Sequence, residues 1–142
     1  LSYRAAAAGE RGASWTGDPG AMDKLITGGL QDVDIAFECC GEQEALDQAL
    51  EVCKPGATLM IVGIPEFERY SFDAHTARRK ELAFRNVRRQ NNCVRPAIDA
   101  VAGGSIRPGF MATHHFSLDE VQYAFDLVRD YRDGVIKTII HM

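Results

Sequence analysis

The sequence predicts an α/β protein built on parallel strands, and three observations carry that expectation. Val33-Asp34-Ile35-Ala36-Phe37 is a mostly apolar run bounded by polar residues, as a strand requires. Residues 42–53 carry apolar side chains at Ala45, Leu46, Ala49, Leu50 and Cys53, which is helical spacing. Thr58 to Val62 is a second buried-type strand. Strand, helix and strand fit within about 30 residues, the size of a crossover unit. Strands joined in this way run parallel with a right-handed connection.

The other elements follow in order. Residues 2–11 are Ala-rich and helix-prone, and Gly12 is placed to stop them. Ser14-Trp15-Thr16 is read as a short strand, residues 17–20 (GDPG) as a turn and residues 21–28 as a short helix. Glu42 and Glu44 suit the positive end of the helix over 42–53, and Lys54-Pro55-Gly56 is expected to break it. A polar loop over 66–74 leads to a short basic helix around 74–80 and a strand over 82–87. The helix over 92–102 gathers Val94, Ala97, Ile98 and Val101 on one face, with Pro96 in its first turn. Ser117 and Glu120 form a capping box for a helix that buries Leu118, Val121, Ala124, Phe125 and Val128. Asp133-Gly134 turns the chain into a last strand, Val135 to Ile140.

Composition narrows the function classes. Hydrophobic residues make up 46% of 142 and charged residues 25%, the balance of a soluble globular chain. The net charge of −4 argues against nucleic acid or an anionic membrane as the main partner. The longest strongly apolar run, Leu59 to Val62, is far too short to span a bilayer. Cys39, Cys40, Cys53 and Cys93 include no CxxC pair and suggest no disulfide framework, so a reducing cytoplasm is expected. The chain opens on Leu1 without a secretory signal and is expected to be part of a longer one.

Four blocks carry a resemblance: DVDIAFECCGEQEALDQALEVCKPGATLMIVGIP, RRKELAFRNVRRQ, THHFSLDEVQYAFDLV and GVIKTII. In this order and spacing they resemble the zinc-dependent medium-chain dehydrogenase/reductase family, and look closest to its sorbitol and threonine dehydrogenase-like branch. The resemblance implies a partial Rossmann-type doubly wound parallel sheet, strands 3 to 6 without strands 1 and 2, plus a C-terminal return segment of the catalytic domain. Residues 1–108 would be the C-terminal part of the NAD(P)-binding domain and residues 109–142 the return. The GxGxxG turn and the zinc ligands would lie before Leu1. In the order 3-2-1-4-5-6 the strand over 33–37 then exposes an edge meant to be central, an aggregation hazard.

The implied activity is hydride transfer from a secondary alcohol of polyol or amino-alcohol type to NAD, with NADP not excluded. Zinc would be supplied by the full-length parent, which would be a homo-oligomer, dimer or tetramer. The chain alone is expected to be inactive. Within it, Val62, Gly63 and Ile64 would line the nicotinamide side, since glycine at a strand end permits close approach. The plainer reading of Gly63 is a turn glycine. Cys39 and Cys40 would be small side chains against the cofactor, the alternative being inert thiols. Arg88 and Arg89 would reach substrate or cofactor, Arg89 matching best, or form a solvated basic turn. Lys137 would approach the pyrophosphate and Arg4 the adenine ribose, each equally a surface charge. Arg78, Arg79 and Lys80 read as a surface helix. His114 and His115 read as structural, because adjacent histidines seldom share a metal. No catalytic residue or metal ligand is assigned. A zinc-free, quinone reductase-like member of the superfamily is the first alternative, against which ECCGEQEALDQAL and NVRRQ speak. A non-catalytic structural fragment is the second.

Overall fold

The computed structural model describes residues 1–29, 32–89 and 91–142. Leu30, Gln31 and Gln90, the last residue of the NVRRQ block, lie outside the described residues. The chain divides into two compact units, Gly17–Arg89 and Leu1–Thr16 with Gln90–Met142.

The unit over Gly17–Arg89 holds α2 (Pro19–Thr27), β1 (Val33–Glu38), α3 (Gln43–Val52), β2 (Cys53–Ile61), α4 (Ala74–Arg79) and β3 (Ala83–Asn86). Its three strands are parallel in the order β1-β2-β3. Ala36, Leu59 and Phe84 stand side by side across the sheet and share its helix-covered face. Behind them Leu46, Leu50, Cys53, Ala57 and Ala77 complete a dry core. The other face is open at β1, where Ile35 and Phe37 are exposed. The ordering matches the expected strands 4, 5 and 6. The expected strand at Ser14–Thr16 is absent: these residues lack regular structure, because a strand exists only where a neighbour completes its ladder.

Two local expectations are corrected in this unit. The GDPG segment starts a helix rather than a turn. Asp18 is the N-cap and accepts the Ala21 amide at 3.1 Å, while Pro19 takes the first helical position, where its missing N–H costs nothing. Lys54-Pro55-Gly56 ends α3 but lies inside β2, at an irregularity in the register. Val33 pairs with Cys53, yet Ile35 already pairs with Thr58. Gly56 takes φ +79°, a left-handed conformation open to glycine, and donates its amide to the Lys80 carbonyl at 2.7 Å. Lys80 also departs from the surface role expected of it. Its Nζ donates to the Leu50 and Glu51 carbonyls at 3.0 and 2.8 Å, capping the negative end of α3.

The second unit holds α1 (Ser2–Glu10), α5 (Val94–Ala102), β4 (Ala112–Ser117), α6 (Val121–Arg129) and β5 (Lys137–His141). β4, which the sequence reading did not assign, pairs in parallel with β5. Val135 precedes β5 instead of opening it and is fully buried, with Ala124 and Leu127 of α6. The capping box forms: Ser117 N and Oγ both donate to Glu120 Oε2, at 2.9 and 2.8 Å. It begins a single 3-10 turn, Leu118–Glu120, before α6. The apolar faces are less covered than expected. Leu118 and Phe125 are exposed, and Val94, Ile98 and Val101 of α5 are all about half exposed or more. Helical spacing fixes which side chains share a stripe, but covering it takes a neighbour.

Candidate cofactor-binding site

The C-terminal ends of β1 and β2 are tied together by one residue that the sequence reading passed over. Glu38 closes β1, two residues after Ala36, so strand alternation turns it to the helix-covered face. It is only 2% exposed. Its main-chain carbonyl accepts the Val62 and Gly63 amides at 2.8 and 3.0 Å. Its side-chain Oε1 accepts the Cys40 and Gly41 amides at 2.8 and 2.6 Å. Burial pushes the Glu38 carboxyl up, but the amides of Gly41 and Cys40 outweigh it and hold the group below the ordinary carboxylate range. The Cys40 thiol moves the other way, raised by burial and by Glu38, which keeps it a poor nucleophile.

Gly41 and Gly63 meet at this point. A Cβ on Gly63 would lie 2.2 Å from Gly41 N and 2.5 Å from Glu38 Oε2. A Cβ on Gly41, which has φ +80°, would lie 2.6 Å from the Ile64 carbonyl oxygen. Two main chains therefore touch where any side chain would part them. On the β3 side the ladder extends one step further, Val87 donating to the Ile61 carbonyl at 2.9 Å.

Val62, Ile64, Val87, Arg88 and Arg89 line a crevice of about 160 Å³ beyond the ends of β2 and β3. Its walls combine apolar side chains with two exposed guanidinium groups. Cys39 and Cys40 do not line it; with Phe37, Ala45, Ala49 and Val52 they border a separate hollow of about 340 Å³. Another hollow, about 410 Å³, carries Asp23, Glu44, Asp47, Glu51 and Asp73, and its charge repels a phosphate-bearing ligand. Arg4 and Lys137 belong to the second unit. The Arg4 guanidinium lies over the Tyr131 ring at 5.1 Å, and Lys137 is exposed as the first residue of β5. His114 contacts Thr113 and Asp133, while His115 meets His141 at 2.8 Å. Among the described residues no group of three or more His, Cys, Asp or Glu could hold a metal ion. These residues do not fit zinc.

The crevice at the carboxyl ends of parallel strands is where open α/β sheets bind ligands. Comparison with known proteins gives the family. Residues 2–103 match the zinc-binding dehydrogenase family. The chain belongs to the zinc-binding dehydrogenase family. An alcohol dehydrogenase of Cupriavidus necator is 32% identical over 123 residues, covering 81% of this chain and 32% of the relative. A (R,R)-butanediol dehydrogenase of Neisseria gonorrhoeae is 31% identical over 130 residues, covering 87% and 36%. A structure described as a zinc-binding dehydrogenase from Sinorhizobium meliloti 1021, bound to NADP, superposes with a TM-score of 0.84 at 28% identity, covering all of this chain and 43% of that one. The chain thus spans about a third of the length of the curated relatives it matches. In this family member no helix among the described residues is long and apolar enough to cross a membrane.

Proposed function

We propose that the chain forms the nicotinamide-side wall of the cofactor cleft in a zinc-dependent NAD(P) dehydrogenase that oxidises a secondary alcohol of polyol or amino-alcohol type. The observation that carries this reading is the crevice of Val62, Ile64, Arg88 and Arg89 beside the Gly41–Gly63 contact. Its volume is well below the roughly 300–1,000 Å³ of a whole-ligand pocket, so it suits one ring of a larger ligand. The apolar flank fits a flat ring, and the guanidinium groups fit phosphate or vicinal hydroxyls. When bound, the nicotinamide supplies the hydride acceptor. Val62 and Ile64 pack and exclude water, Gly63 keeps main chain rather than side chain at the floor, and Arg88 and Arg89 hold anionic or hydroxyl groups. Cys39 and Cys40, small side chains after the end of β1, face the cofactor from the neighbouring hollow. Lys137 and Arg4 serve the pyrophosphate and the adenine ribose.

In this reading residues 1–108 are part of the nucleotide-binding domain and residues 109–142 the return of the catalytic domain. Zinc is held by residues other than these, and residues 1–142 alone turn over no alcohol. The whole protein works in the cytoplasm as a homo-oligomer, dimer or tetramer. The relatives named above support the substrate class, since butanediol carries vicinal secondary alcohols. Calorimetric titration of the full-length protein with NAD+ and NADP+ tests the cleft. Dissociation constants on the order of micromolar are expected for one of the two, and Gly63→Ala is expected to abolish that binding. Equal binding by wild type and Gly63→Ala, or none by wild type, overturns the reading. Metal analysis of the same preparation separates it from a zinc-free reductase.

A further inference from the structure

The Glu38 carboxylate is buried, anionic and short of a counter-ion. Oε1 is satisfied by two amides, but Oε2 is buried with no hydrogen-bond partner. Among the described residues no lysine, arginine or histidine forms an ion pair with it. The neighbouring group is the phenol of Tyr70, whose oxygen is buried and faces Glu38. That phenol brings no positive charge; burial and then the charge of Glu38 push it further from ionising. Buried carboxylates are ordinarily paired with a cation, because an isolated one is expensive. Here Oε2 lies 2.5 Å from where a Gly63 Cβ would be, and Gly63 is the residue between Val62 and Ile64, which form the apolar flank of the crevice.

We propose that Glu38 sets the redox preference of the cleft, its fixed negative charge favouring the cationic oxidised nicotinamide over the neutral reduced ring. This rests on the cofactor-wall reading above. Glu38 acts through the Gly41–Gly63 contact without touching the reacting atoms, so it is a positioning and electrostatic residue.

The test is the ratio of dissociation constants for NAD+ and NADH (or NADP+ and NADPH), measured on the full-length protein. Glu38→Gln keeps the shape and removes the charge. It is expected to weaken binding of the oxidised form about three- to tenfold while leaving the reduced form essentially unchanged. Glu38→Asp keeps the charge and is expected to stay near the wild-type ratio. Tyr70→Phe removes the hydroxyl but no charge and is expected to leave the ratio alone. A purely structural role would weaken both forms together, and that outcome, or an unmoved ratio, overturns the assignment while leaving the cleft reading intact. If wild type binds neither form, both readings fall. Should Glu38→Gln not fold, Tyr70→Lys supplies the missing counter-ion with the carboxylate kept. It is expected to shift the ratio in the same direction, and an unmoved ratio there overturns the assignment.

Discussion

The two compact units answer the same kind of sequence pattern differently. In Gly17–Arg89, α3 buries Leu46, Leu50 and Val52 against a three-stranded sheet. In the other unit, α5 carries an equally clear apolar stripe and buries none of it. The stripes differ little; the neighbours differ greatly. α3 is a crossover helix, held over the sheet by the two strands that it joins, so its apolar face is covered by construction. α5 has no such strand pair around it. The unit with the covered helix is also the one that builds the strand-end crevice, where precise main-chain approach matters.

Substitutions can sharpen or break this contrast. The largest effect is expected from Leu59→Ala, at the centre of the covered sheet face. It should cost residues 1–142 about 2–5 kcal/mol in urea unfolding, and a loss under 1 kcal/mol would mean the core is less packed than its burial implies. Gly63→Ala comes next. A methyl 2.2 Å from the Gly41 main-chain nitrogen must shift the main chain at Gly41 or at Gly63, at a cost of about 1–3 kcal/mol. Wild-type stability would contradict that contact.

Acid unfolding gives a third test. The folded pKa of Glu38 is depressed, so its contribution is fully present above the ordinary carboxylate value of about 4.5 and is lost as pH falls through the lower folded value. Glu38→Gln should therefore flatten the fall in stability below pH 4.5. An unchanged slope would show that the carboxylate is not stabilised by its amides. Ser117→Ala removes half of the capping box and should cost about 1 kcal/mol. The smallest effect is expected from Ile98→Ala on the open face of α5, within about 0.5 kcal/mol. A cost of several times that would reveal a cover on α5 and erase the difference between the units.

Much of this was legible in residues. The apolar runs that make Val33–Phe37 and Thr58–Val62 strands, and the spacing that makes residues 42–53 a helix, suffice to place the parallel unit. The four ordered blocks pointed to the family that residues 2–103 match. Glu38 was hidden because a charged residue after an apolar run reads as the end of the strand. Continuing the alternation by one step would have turned it inward beside Ala36. Lys80 was hidden by its basic neighbours Arg78 and Arg79, since only the position of α3 distinguishes a capping lysine from a solvated one. The strand expected at Trp15 failed for the opposite reason: its local pattern was adequate, but no partner ladder was present.

The sequence by itself determined the strand-helix-strand crossover over residues 33–62, its parallel sense and the family, because these follow from periodicity, punctuation and local wording. Only the tertiary structure decided which apolar faces are covered, where β4 pairs, and that buried Glu38 ties Cys40 and Gly41, through its carboxylate, to Val62 and Gly63, through its main-chain carbonyl. Those depend on which segments, distant along the chain, come within a few ångströms, and no local pattern encodes that distance.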